Sequence, residues 1–293
     1  MFIATLIASD SLAAGEISAA MDRLEAAGCS PVAQGWIEQG KAADIAFGLA
    51  SDAARTALEG AFPGVDVVVQ QAEGREKKLL VADMDSTMIT VECIDELADY
   101  AGIKPQIAAI TEAAMRGELD FEGALDARVA LLAGLDEAVI ERCLAERVTI
   151  MPGAVALIGT MRARGATAIL VSGGFTRFAE PVAAQIGFHR AIANRLEIAG
   201  GVLSGTVTKP IVGSDTKLQT LLAAMAELNL PPEATLAVGD GANDLAMIRA
   251  AGLGVAYHAK PVVAAAADAR IDQGDLSALL YAQGIPRAEW VVA

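Results

Sequence analysis

The sequence predicts an α/β protein in two parts, a doubly wound parallel sheet preceded by a smaller α+β unit. Three observations carry this expectation. From Leu79 onward, short apolar runs at 79–83, 167–172, 235–240 and 253–257 alternate with helical patterns at about 152–164, 175–186, 215–228 and 243–251. Ahead of them, residues 2–70 spell strand, helix, strand, strand, helix, strand. Between the first and second apolar runs, residues from about 89 to 150 are helical in pattern, with no strong strand candidate.

In the first part, FIATLIA at 2–8 is a strand, and 12–27 is a helix with Leu12, Ile17, Ala20, Met21 and Leu24 on one face. Gly28 ends that helix. Strands are expected at 31–37 and 43–49, a helix at 51–61, and a strand over VDVVVQ at 65–70. This order is the ferredoxin-like plan. The polar stretch 71–78 then reads as a linker, which gives expected units of 1–75 and 76–293. Leu79-Leu80-Val81-Ala82 is short and wholly apolar, as a strand buried on both faces should be.

Composition narrows the function. The chain has 293 residues and a net charge of -15, which disfavours nucleic acid as a partner. Hydrophobic residues reach 54%, yet no run of 18 or more apolar residues suggests a membrane span. The first residues lack a basic segment and read as a strand rather than a signal peptide. Three cysteines without CxxC spacing fit reduced thiols in a cytoplasmic protein, and with only two histidines a zinc site is not expected.

The chemistry gathers after the apolar runs. Asp83-Met84-Asp85-Ser86-Thr87 follows the first of them, at the strand edge where open α/β sheets bind ligands. Asp83 can attack an electrophile while Asp85 hands a proton to the leaving group, a pairing suited to phosphoryl transfer through an aspartyl-phosphate. Ser172-Gly173-Gly174-Phe175 ends the second run, and its hydroxyl and free N–H groups suit a phosphate oxygen, although a plain helix cap would look the same. Lys217 opens a helix after Gly213-Ser214-Asp215-Thr216 and can neutralise phosphate and Asp83; alone it would be a solvated lysine. In Val238-Gly239-Asp240-Gly241-Ala242-Asn243-Asp244, Asp240 can reach a metal beside Asp83, and Asp244 can support it. Four such motifs, each expected after a strand of one sheet, supply a nucleophile, an acid, an oxyanion donor, a cation and metal ligands.

This set (DMDST, SGG, Lys217 and GDGAND) resembles the haloacid dehalogenase superfamily of aspartate-nucleophile phosphotransferases over about 79–285. The resemblance implies a Rossmann-like core with a helical cap at about 89–150, inserted after the first core strand. It also implies Mg²⁺ held by the side chains of Asp83 and Asp240 and the backbone carbonyl of Asp85, with Asp244 behind them. Asp83 would be the nucleophile and Asp85 the general acid/base. The ion-pumping ATPases of the superfamily carry Thr in place of Asp85, so a carboxylate there points to rapid hydrolysis and a phosphatase.

The cap sharpens the substrate. DMDSTMITVECIDELA, and the pattern M-x-G-x-L-D-F-x-x-x-L-x-x-R-V from Met115 to Val129, resemble phosphoserine phosphatases. That likeness implies Glu92 on the substrate ammonium, Arg128 on its carboxylate, and Met115 and Phe121 closing over the site. Ser172, Gly173, Lys217 and Asn243 would bind the phosphate end. An amino acid carries one cation and one anion, so an enclosed site needs one acid and one arginine fork. The expected activity is hydrolysis of O-phospho-L-serine, the last step of serine biosynthesis. Transfer to another alcohol, or action on other small phosphomonoesters, is the alternative. A phospho-accepting receiver module would have neither a counterpart of Asp85 nor so long an insertion. The first 75 residues resemble ACT domains in pattern, which implies an interaction or regulatory role and leaves a homodimer open.

Overall fold

The computed structural model describes residues 1–116 and 118–291, apart from the side chain of Met115. The chain opens with β1 (Phe2–Ala8), α1 (Ala14–Ala26), β2 (Pro31–Glu38), β3 (Ala42–Phe47), α2 (Ser51–Leu58) and β4 (Val65–Gln71). These form a four-stranded sheet in the order β2-β3-β1-β4, antiparallel throughout. Period-two alternation sorts the side chains. Ala4, Leu6, Ile45, Val65 and Val67 pack beneath Ile17 and Leu24 of α1 and Leu58 of α2. Glu16 accepts the Ala13 N–H at 2.8 Å and so caps α1, while Gly28 leaves the helix end at φ 74°, a conformation glycine adopts without strain.

The opposite face of this sheet lies against the rest of the molecule. Ile7, Ala42 and Val68 belong to the same apolar cluster as the second sheet. Asp66, buried among them at 4% exposure, accepts the successive backbone N–H groups of Asp272 (2.8 Å), Gln273 (3.1 Å) and Gly274 (2.7 Å). Gln70 donates to Ala282 O at 2.7 Å, and Arg75 pairs with Asp44 at 2.6 Å. A buried carboxylate with three N–H donors is well satisfied, and removing it would orphan all three.

The second part runs β5 (Leu79–Ala82), α3 (Cys93–Tyr100), α4 (Lys104–Met115), α5 (Phe121–Ala130), α6 (Ala138–Glu146), α7 (Ala154–Ala163), β6 (Thr167–Phe175), α8 (Thr176–Ile186) and β7 (Arg190–Asn194). It continues through β8 (Leu196–Ala199), β9 (Val202–Val207), α9 (Ser214–Leu228), β10 (Thr235–Gly239), α10 (Leu245–Ala250), β11 (Leu253–Tyr257), α11 (Pro261–Ala264), β12 (Ala269–Ile271) and α12 (Ala278–Ala282). The six-stranded sheet has the order β12-β11-β10-β5-β6-β7, and every pair is parallel. β5 is central and all four of its side chains are fully buried, each Leu or Val contributing about 1.5–3 kcal/mol. The fold is the expected Rossmann-like α/β core with a helical insertion after its first strand.

Four strands are additional to those expected from sequence: β7, β12 and the hairpin β8–β9. The hairpin corrects one inference. Lys217 does not follow a strand of the main sheet; its helix α9 comes after the separate two-stranded β8–β9 unit. The hairpin also fixes the insertion, with Gly134 N–H donating to Leu203 O at 2.8 Å and Glu137 N–H to Gly201 O at 3.0 Å. At its base, an antiparallel bridge of Ile89 with Ile150 joins the chain entering the cap to the chain leaving it. The cap is therefore pinned at its neck and on its α6 side.

Candidate active site

The C-terminal ends of β5, β6 and β10 meet along one sheet edge, and the cap stands over it. Between them lies a cavity of about 600 Å³. Its floor is set by parallel register: Asp83 N–H donates to Val238 O at 3.0 Å, so the residues after β5 and β10 emerge side by side. Asp83 (5% exposed) reaches Lys217 Nζ at 2.5 Å, and Lys217 reaches Asp244 at 2.6 Å; Lys217 and Asp244 are fully buried. The other oxygen of Asp244 accepts Gly241 N–H at 3.0 Å, so both are committed. Burial opposes the charge on Lys217, but Asp244 and Asp83 beside it raise its pKa above the ordinary lysine value. Breaking such a buried pair on one side would strand a charge, at a cost of about 3–5 kcal/mol.

Asp83, Asp240 and Asp244 each offer an oxygen within 4.8 Å of the others. With both Asp244 oxygens committed, Asp83 and Asp240 are the hard oxygen donors of this cluster that suit a divalent cation, and Asp244 stands behind them. Burial, then the charges of Asp83 and Glu92, push the Asp240 carboxyl up to about 7. Asp85 is pushed up to about 8 by burial, then by Glu92 and Asp83, although it accepts the Cys93 N–H at 3.2 Å at the start of α3. A carboxyl in that range is protonated at neutral pH and equipped to donate.

β6 contributes the other wall. Ser172 is fully buried and its hydroxyl accepts Gly174 N–H at 2.8 Å. A Cβ at Gly174 would stand 2.8 Å from Asp85 Oδ2, so only glycine lets this strand run so close to the acid. Gly173 and Asn243 line the cavity nearby.

The roof comes from α3, α4 and α5. Glu92 lines the cavity and is open to solvent through it; desolvation pushes its carboxyl up, while Ser86, which donates to it at 2.6 Å, pulls it down. Arg128 also lines the cavity, and its one hydrogen bond among the described residues is from Nε to Ala124 O of its own helix at 3.2 Å. Glu118, which lies near it in sequence, pairs with Arg116 at 2.6 Å. Phe121 is 37% exposed and its ring lies over Gly173 and Gly213, where an added Cβ would come within 3.1 Å of it. Met115 ends α4, and its side chain lies outside the described residues. Asp83, Asp85, Glu92, Phe121, Arg128, Gly173, Asp240 and Asn243 thus line one cavity, with Ser172, Lys217 and Asp244 in the buried shell beneath.

Sequence reading passed over two charged cavity residues, Asp95 and Lys260. Asp95 lies one helical turn from Glu92 and could have been found from that spacing. Lys260 belongs to no motif in the sequence. Ser86, in the loop after the nucleophile, spends its hydroxyl on Glu92 and takes a left-handed φ of 56°. Thr87 is buried beneath the loop, with no partner for its hydroxyl among the described residues.

The profile of the haloacid dehalogenase-like hydrolases matches residues 80–249. The chain is 47% identical to a phosphoserine phosphatase of Streptomyces coelicolor over 246 residues, covering 83% of this chain and 60% of the relative. It is 46% identical to the phosphoserine phosphatase SerB2 of Mycobacterium tuberculosis, covering 77% of this chain and 55% of that one. It therefore spans under two thirds of the length of either. Among solved structures, a probable phosphoserine phosphatase from Vibrio cholerae superposes with a TM-score of 0.77 at 34% identity, covering 96% of this chain and 86% of the other.

Proposed function

The chain belongs to the haloacid dehalogenase-like hydrolases, and on that premise we propose that it hydrolyses O-phospho-L-serine to L-serine and phosphate. One observation carries the substrate: a single cavity has the Asp83–Asp85 pair on its floor and, on its roof, the acids Glu92 and Asp95 with one unspent guanidinium, Arg128. A phosphoamino acid presents the complementary set of a phosphate, an ammonium and a carboxylate. The similarity to phosphoserine phosphatases supports the same reading.

In the proposed reaction Asp83 attacks phosphorus in line, and the P–O bond to serine breaks as Asp85 protonates the leaving oxygen. Asp85, now ionised, takes a proton from water, which attacks phosphorus and frees Asp83 and inorganic phosphate. Lys217 holds Asp83 in place and faces the phosphoryl charge, and Ser172, Gly173 and Asn243 receive its oxygens. Glu92 takes the ammonium, Arg128 the carboxylate, and Phe121 shields the site from bulk water. The acidic cluster suits Mg²⁺, which Asp83, Asp240 and the Asp85 carbonyl would hold, with Asp244 behind; it would offset charge on the phosphoryl oxygens.

Residues 1–75 form, in this reading, an ACT-like unit with an interaction or regulatory role, and residues 76–293 the catalytic unit with its cap at about 89–150. A cytoplasmic place suits three buried free cysteines, and a homodimer is compatible with the exposed β2 edge. No helix among the described residues is long and apolar enough to cross a membrane.

The test is phosphate release from a panel of phosphomonoesters, with and without Mg²⁺. Phosphoserine should be preferred over phosphoethanolamine, which lacks the carboxylate; equal rates would defeat the role given to Arg128. Phosphate appearing on an added alcohol rather than in solution would favour a phosphotransferase.

A further inference from the structure

The walls of the cavity are electrically unbalanced. Asp83, Asp85, Glu92, Asp95 and Asp240 line it, against Arg128 and Lys260. Lys217 lies beneath, already bonded to two carboxylates. A phosphomonoester dianion must therefore approach five acids in a chain of net charge -15. Arg128 is given to the substrate carboxylate, which leaves one cation at the mouth without an assignment.

Lys260 is built to fill it. Its side chain is exposed at the cavity edge, and among the described residues it forms neither an ion pair nor a hydrogen bond. Its backbone is fixed, since its N–H donates to Asp240 O at 3.3 Å. Two residues earlier, His258 N–H donates to Ile271 O at 2.9 Å, and the His258 ring meets Gly274 O at 3.0 Å. Gly274 belongs to the turn held by Asp66. The segment is thus anchored while the ammonium is free. Lys260 shares the cavity wall with Glu92 on the cap side and Asp240 on the core side.

We propose that Lys260 is a substrate-capturing residue, a mobile cation on a fixed stem that draws the phosphate dianion into the acidic cleft and holds it until Lys217 and the metal engage. This rests on the phosphatase reading but not on serine as the alcohol. Attraction of this kind acts on encounter and is screened by salt.

The experiment compares full-length, Mg²⁺-loaded wild type, Lys260→Met and Lys260→Arg across ionic strength. Lys260→Met should lower kcat/KM for phosphoserine about 5–10-fold at low salt and less than about 2-fold near 0.5 M, with kcat changed much less. Lys260→Arg should restore most of the loss. Titration with inorganic phosphate should show the same salt-dependent weakening without turnover. Unchanged kcat/KM and phosphate affinity in Lys260→Met, or a loss equal at both salts, would overturn the proposal. If wild type ignores phosphoserine, the serine reading fails by itself, and the phosphate titration still decides Lys260.

Discussion

Floor and roof of the cavity hold comparable charges in opposite states. Beneath, Asp83, Lys217 and Asp244 are 5%, 0% and 0% exposed and bonded to one another at 2.5 and 2.6 Å. Above, Arg128 has only its own helix backbone as a partner among the described residues, Glu92 only Ser86, and Phe121 is 37% exposed. The floor has made its interactions before any substrate arrives, as electrostatic preorganisation requires. The roof keeps its donors and acceptors in reserve, which is how a site recognises a charged ligand without first breaking internal bonds. The difference teaches where a substitution should be felt: on the floor in fold and chemistry together, on the roof in recognition alone.

The sharpest test of that division is Asp83→Asn, which should lower kcat by about 10³-fold or more, since the amide cannot accept phosphorus. Retention of more than a few per cent of wild-type turnover would remove Asp83 as the nucleophile. Next, Lys217→Met should cost about 10²-fold in kcat and also destabilise the protein by about 3–5 kcal/mol, because two buried carboxylates are left facing each other. An unchanged Tm in that variant would break the contrast from the floor side. Arg128→Met should behave differently. Its kcat/KM for phosphoserine should fall about 10–100-fold with Tm unmoved, while phosphoethanolamine turnover is nearly unaffected. Phe121→Ala should be milder, raising KM a few-fold by opening the slot over Gly173 and Gly213.

A further test on the floor concerns the metal. With Asp240 near 7 and Asp85 near 8, protons occupy the cluster at pH 6 and have largely left it above pH 8. Mg²⁺ binding should release protons and tighten about tenfold or less from pH 6 to pH 8, measured by calorimetry in buffers of different ionisation heat. Affinity that weakened with rising pH would contradict the burial of these acids.

Most of the floor was legible because each of its parts is local. An apolar run followed at once by acids, or by Ser-Gly-Gly, marks a strand end and its chemistry within ten residues. The βαββαβ order at 2–70 was readable for the same reason, since alternation and turn glycines are short-range signals. What escaped depends on distant contacts. β8 and β9 are short, half-exposed strands, and the segment at 134–137 hydrogen-bonds to Gly201 and Leu203 of their hairpin. Lys260 is one lysine in a loop, and its meaning comes from a cavity wall some 165 residues away in sequence, at Glu92 and Asp95. Asp66 did leave a trace, an acid inside the apolar strand VDVVVQ, but its three donors lie more than 200 residues downstream.

That last separation has a consequence for how the protein is made. Asp66 leaves the ribosome 206 residues before Asp272, the first of its donors, an interval of about 10–40 s at 5–20 residues per second. Throughout it the first sheet can close over α1 and α2, yet its other face, with Ile7, Val68 and a bare carboxylate, has nothing to rest on. The nascent chain carries that half-dressed surface until the turn at 272–274 emerges.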